Sequence, residues 1–254
     1  MLGGLLKLVV KMNTSHEEII CTWQDESNCI ECSLDEKLLC RYNRKQWLYF
    51  VSTLVPWILL EAGGLVFIGF ILDSWWPIIT YSSVTIAFFF LGIKSFILCS
   101  HCPYYAEKGK ILHCLANTGL PKFWKYRPGP MNVFEKVILA TFFIFLFCWG
   151  IGWEIYGIYF AAKNFSTWRL AFTISLSVIT ALSIATLILF LVVLQRNYCI
   201  RCLNFSCPMN RVSKKLVVEY LERNPVMKEA WEKKGFVIRK PEETKSNRED
   251  KDNE

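Results

Sequence analysis

At 254 residues the chain could hold one or two soluble domains, but 53% of it is apolar, gathered into blocks long enough to cross a bilayer core of about 30 Å, which takes roughly 20 helical residues. The formal net charge is +7, yet the basic residues border the apolar blocks, so attraction to anionic headgroups accounts for them and no nucleic-acid partner is expected. The sequence has no P-loop, no Gly-rich dinucleotide turn, no His-Glu-x-x-His and no Ser/His/Asp set that span order would bring together, which leaves soluble hydrolase and nucleotide-driven pump chemistry unsupported.

In chain order, the opening stretch with Leu5, Leu6, Leu8, Val9 and Val10 is too short to span and lacks a small-residue cleavage site before His16. It reads as an interfacial helix, or as residues upstream of a start at Met12. The cysteine-rich segment 1–46 leads into a first hairpin, 47–97, with spans at Trp47–Leu72 and Ile78–Ile97. A cysteine-containing loop, 98–136, follows. The second hairpin, 137–195, has spans at Val137–Phe160 and Leu170–Gln195. In the last cysteine-rich segment, 196–240, Asn224-Pro225 separates two short amphipathic helices, Val212–Glu222 and Val226–Phe236. The tail 241–254 is almost wholly polar and has nothing to bury.

The expected fold class is therefore an all-α integral membrane protein, a four-helix transmembrane bundle with small cysteine-rich cytoplasmic segments. Fifteen Lys and Arg flank the spans on the side of the cysteine segments, against Lys163 and Arg169 on the other. By the positive-inside rule the protein is multi-pass in the cell membrane with both termini cytoplasmic. Each hairpin leaves the membrane through a Cys-x-x-Cys, Cys99-Ser-His-Cys102 and Cys199-Ile-Arg-Cys202, 100 residues apart. Cys102 and Cys207 each precede a proline. Two parallel hairpin repeats about a pseudo-twofold axis along the membrane normal would produce this arrangement.

Ten of eleven cysteines fall in the cytoplasmic segments: Cys21, Cys29, Cys32 and Cys40, then Cys99, Cys102 and Cys114, then Cys199, Cys202 and Cys207. The first set is nearly symmetric and could close on one tetrahedral ion. Reducing conditions on that face favour metal ligation or a catalytic dithiol over structural disulfides. Thiolates at this spacing suit zinc and iron–sulfur clusters alike. The Cys-Pro dipeptides are similar to the close of bacterial ferredoxin cluster runs, which inclines the second and third sets toward iron–sulfur. Each of those sets has three cysteines; their six could build one site from four with two spare, or a bridged pair of ions, and His101 or His113 could supply a fourth ligand. Cys148, inside the third span, is ordinary packing. No histidine lies within a span, which excludes haem held by paired imidazoles there.

The span count and the Cys-x-x-Cys motif resemble four-helix membrane proteins that pass electrons between a dithiol and a quinone. Those act on the outer side, whereas the charge count here puts the thiols inside.

Within the spans, Glu61 is the residue that most needs a reason, since an ionised carboxylate at mid-depth costs a few kcal/mol. It is a candidate for proton transfer or for contact with a quinone carbonyl or a transported ion. A neutral carboxyl bonded between helices, with Gly63 and Gly64 allowing close packing, is the plainer alternative. Glu154 is expected at the outer interface among Trp153, Tyr156 and Tyr159, and Lys94 is expected to snorkel to the inner surface. Leu120–Pro130 reads as a rigid loop over the cysteines and against the headgroups. The functional expectation is a thiolate-bound metal centre serving membrane electron transfer, with a quinone or a redox subunit as partner. A zinc-stapled, nonenzymatic assembly factor or transporter subunit and a quinone-linked thiol–disulfide oxidoreductase are the alternatives.

Overall fold

The computed structural model describes residues 20–24, 29, 31–90, 92–114, 116–164 and 167–236. The expected helix near the start and the polar tail 241–254 lie outside them. Among the described residues the chain is helical without strands, and one isolated antiparallel bridge joins Ile111 and Pro121. The helices are α1 (Arg44–Leu72), α2 (Trp76–Phe90), α3 (Ile93–Ile97), α4 (Val133–Lys163), α5 (Thr167–Val193), α6 (Lys214–Glu222) and α7 (Pro225–Glu232). A π-helical turn, Leu194–Cys199, prolongs α5.

Three helices are long and apolar enough to cross a membrane: α1, α4, and α5 with its π-turn. A fourth crossing exists only if α2 and the helix after it count as one span bent by 46°. The expected second span was continuous from Ile78 to Ile97, and the break has a local cause. Gly92 sits at φ 81, a left-handed conformation that only glycine adopts without strain. A β-carbon there would lie 2.8 Å from the Phe123 ring. Trp124 also donates its indole N–H to the Gly92 carbonyl at 3.0 Å.

Caps set the other boundaries. The Asn43 side chain accepts from the Lys45 and Gln46 amides at 2.9 and 3.4 Å and starts α1. Asn132 and Glu135 form a reciprocal capping box, bonds of 2.8 and 2.9 Å, which starts α4 before the expected Val137. Asn224 precedes α7, where Pro225 takes the first helical position.

Helices α1 and α4 run parallel, because Trp57 meets Phe147, Glu61 meets Gly150, Gly64 meets Glu154 and Ile68 meets Gly157 in ascending order. The α1 residues in that list recur at helical spacing, so one face carries the whole seam. Helix α5 is antiparallel to α1, with Phe190 beside Phe50 and Phe172 beside Phe67. Helix α2 lies antiparallel to α4, where Trp149 donates to the Pro77 carbonyl and Phe88 stacks on Phe142. Because α5 packs more extensively on α1 and α4 than α2 does, the two hairpins are not equivalent in their packing. The outer surface is apolar, with Leu59, Phe70, Ile144 and Ile188 exposed, while Glu61 and Glu154 are inside.

The three cysteine segments meet at one end of this bundle and share a single core. Ile20, Leu34 and Leu38 pack there with Tyr104, Tyr105 and Leu112 from the middle loop and with Leu203, Tyr220, Leu221 and Trp231. Sequence reading placed these segments on one side but did not foresee the apolar core they share.

Candidate functional site

The middle and last cysteine sets are mutual neighbours. Cys102 faces Cys114, Cys202 and Cys99, while Cys207 lies within electrostatic reach of Cys99, Cys199 and Cys202. Local structure delivers them there. Cys99 and Cys102 bracket a single 3-10 turn closed by Cys102 N–H to Cys99 O at 2.9 Å. The bridge at Ile111 and Pro121, with Gly119 at φ 92, closes the loop that carries Cys114. Cys199 ends the π-turn, and its carbonyl accepts from the Arg211 amide at 2.9 Å.

Backbone amides are aimed at the sulfurs in a repeated pattern. The N–H of Tyr104 points at Cys102, that of Ala116 at Cys114, that of Asn204 at Cys202 and that of Met209 at Cys207, in each case two residues on. Asn117 and Asn210, three residues on, add further amides at Cys114 and Cys207. Such donors favour sulfur that carries negative charge. Burial works the other way, holding the Cys102, Cys114, Cys202 and Cys207 thiols above their ordinary value of 9.0, and neighbouring sulfurs add to the effect at Cys102 and Cys202.

Lys94 corrects an expectation. It does not snorkel: its buried ammonium donates to Asn117 Oδ1 at 2.5 Å and lies 4.3 Å from the centre of the Phe89 ring. From there it opposes the upward shifts at Cys114 and Cys207. Asn117 in turn donates to Cys99 Sγ at 3.7 Å. The two histidines are engaged elsewhere. His101 Nδ1 is 2.6 Å from the Gly129 carbonyl, and its other nitrogen is 3.4 Å from Glu135. His113 Nδ1 lies 2.8 Å from Glu107.

Cys21, Cys29, Cys32 and Cys40 form a second neighbourhood. Burial, reinforced by the sulfurs of Cys21, Cys32 and Cys29, pushes the Cys40 thiol up to about 12. Arg41 donates to Cys29 Sγ at 3.4 Å and to the Thr22 and Gln24 carbonyls, both at 2.7 Å. Asn224, fully buried, accepts from the Cys21 amide at 2.8 Å and donates to Cys21 Sγ at 3.3 Å. The two neighbourhoods meet at Tyr104, whose hydroxyl donates to the Leu39 carbonyl at 2.6 Å and which feels Cys114, Cys102, Cys40 and Cys202. Arg127, in the aromatic and basic loop, donates to Ser100 Oγ at 3.0 Å and pairs with Glu135 at 2.8 Å, which ties that loop to the Cys99–Cys102 turn and to the start of α4.

All eleven cysteines are free thiols. Among the described residues no group of three or more His, Cys, Asp or Glu side chains is placed to hold a metal ion. The sulfurs are gathered around shared space without converging on one point. Cys148 points outward from α4 and is exposed, not packed inside.

Glu61 is at the other candidate position. It is fully buried between α1 and α4, accepting from Trp57 Nε1 at 3.0 Å and from the Gly150 amide at 3.1 Å. Glu154 is not interfacial as expected: it is also fully buried, and a β-carbon at Gly64 would collide with its carboxylate. Depth along the helix suggested the interface, but the helix face decides its burial. The reciprocal spacing of Glu61 with Gly64 and of Gly150 with Glu154 was the signal in the sequence. Asn117 and Asn210 had one as well, each three residues after a cysteine. Tyr104 and Asn224 had none.

No family model matches the chain, and neither the curated proteins nor the solved structures include a match.

Proposed function

We propose that this is a four-span membrane protein carrying a thiolate-bound metal centre at its cytoplasmic end, used to pass electrons to a lipid-soluble carrier or a partner subunit. Cys102, Cys114, Cys202 and Cys207 would be the principal ligands, with Cys99 and Cys199 beside them. Cys21, Cys29, Cys32 and Cys40 would form a second centre. The observation that carries this reading is the amide aimed at sulfur two residues on, repeated at Cys102, Cys114, Cys202 and Cys207. Neutral thiols gain little from it, whereas thiolates bound to a cation are stabilised and oriented by it. Without a metal the same sulfurs stay protonated in their dry surroundings. The metal would supply the positive charge, and for iron–sulfur the electron.

The membrane placement rests on the helices long and apolar enough to span and on the outward-facing apolar side chains. The orientation rests on the asymmetry of basic residues. Buried Lys94 favours a centre of net negative charge, which iron–sulfur clusters and tetrathiolate zinc both have. Zinc as a staple is the second reading, favoured by a core drawn from three distant segments with only short helices of its own. A thiol relay needs an accessible thiolate, and the buried Cys99, Cys102 and Cys199 give that role less support.

Metal and acid-labile sulfide analysis with an absorption spectrum, on full-length protein purified anaerobically in detergent, tests the proposal. Iron with sulfide and a reducible visible band is the expected result. Stoichiometric colourless zinc would retain the centre and remove electron transfer. Metal-free protein with titratable dithiols would remove both.

A further inference from the structure

Glu61 and Glu154 lie within electrostatic range of each other, and the sequence supplies no basic side chain to either. There is no Lys or Arg between Lys45 and Lys94, between Lys136 and Lys163, or between Arg169 and Arg196. Two ionised carboxylates in an apolar bundle, with nothing positive beside them, cost several kcal/mol.

Hydrogen bonds answer this charge at Glu61 alone. Glu61 has Trp57 and the Gly150 amide, at 3.0 and 3.1 Å. Glu154 is fully buried and neither of its oxygens closes a hydrogen bond, although the Thr180 and Ser183 hydroxyls of α5 approach it. Ser183 is equally buried, and its Oγ is likewise unpaired. Thr180 donates its own proton to the Leu176 carbonyl at 2.8 Å, which turns its oxygen lone pairs outward as acceptors. Gly64 and Gly150 have no side chains, and any β-carbon there would collide with the two carboxylates. The chain thus keeps room for acidic oxygens at the meeting of α1, α4 and α5.

We infer that this cradle binds one hard monovalent cation, a proton or a sodium ion, on the oxygens of Glu61, Glu154, Thr180 and Ser183. One such cation lowers the charge of the pair from −2 to −1, and the unpaired oxygens of Glu154 and Ser183 become its ligands. The inference needs the packed bundle but nothing of the sulfur core, so it and the metal centre can fail separately.

The test uses full-length protein in detergent at constant ionic strength, with choline replaced by sodium as the probe. Infrared spectra follow the C=O stretch of a protonated carboxyl, and thermal unfolding is followed in parallel. In sodium-free neutral buffer a protonated-carboxyl band is expected, and the double variant E61Q/E154Q should lack it. If sodium abolishes the band and raises the unfolding temperature, the site takes sodium. If the band persists with no thermal shift, the proton is the resident ion. Ser183→Ala leaves both carboxyls in place, so it keeps the test decisive should the double variant not fold. It should shift the band, or weaken sodium at least tenfold. No band and no sodium response would overturn the inference, and so would a band indifferent to Ser183→Ala without a sodium effect.

Discussion

In the helix bundle, backbone polar groups are satisfied within each helix, and the inside holds a few polar side chains under an apolar exterior. In the sulfur core the backbone is largely irregular, and side chains must answer it. Asn204 donates to the Leu98 carbonyl at 2.8 Å, Asn210 to the carbonyls of Cys202 and Asn204 at 2.8 and 3.0 Å, and Asn224 to that of Tyr220 at 2.6 Å. The bundle can therefore persist on packing alone, as membrane helices do. The core depends on specific polar clamps and, on the proposed reading, on metal.

The sharpest way to break this contrast is to remove ligands. The double variant C102S/C202S should lose the larger centre's metal completely, because thiolate sites bind structural metal with about 10 kcal/mol or more. Circular dichroism should then show the bundle helices retained while residues 98–132 become sensitive to protease. Unchanged metal content would remove both residues from the centre. Within the bundle, Gly150→Ala drives a methyl group into the Glu61 carboxylate and should cost about 3 kcal/mol. Gly152→Ala meets nothing within 4 Å and should gain about 0.5 kcal/mol. Unfolding midpoints in one detergent compare the pair, and equal midpoints would mean that α1 and α4 do not pack as described.

Asn224→Ala should destabilise the core by about 2 kcal/mol, since it orphans the half-buried Cys21 amide and the buried Tyr220 carbonyl. Alkylation of Cys21 should speed up accordingly, and an unchanged rate would show that the clamp does not hold. The smallest effect is expected where the two regions join. Asn132→Ala removes one half of the α4 capping box, a loss of about 1 kcal/mol that Asn132→Ser should largely restore.

The bundle was the more legible region in the sequence. Long apolar runs announce α1, α4 and α5, each extending past the roughly 20 residues that a bilayer core requires. The break at Gly92 was hidden, because the run remains apolar through it and the cause lies in Phe123 and Trp124, some thirty residues on. Glu154 was misplaced because depth can be read from sequence position, whereas the buried face depends on which helix packs against it. Cysteine spacing pointed to paired sites, but spacing says nothing of Lys94 turning inward toward Asn117 or of Tyr104 standing between the two sulfur sets. Both depend on contacts between segments whose only shared pattern is the cysteine itself.

The hold of Asn224 on Cys21 spans 203 positions of the chain. A ribosome adding about 5–20 residues per second needs roughly 10 to 40 s to cover that distance. Late in this interval the early cysteines have emerged and α1, α2, α4 and α5 have been made, but the residue that fixes Cys21 does not yet exist. On the proposed reading, loading of the Cys21 set would be deferred until synthesis is nearly over, so a chain stalled or cut before Asn224 would present those thiols unclosed.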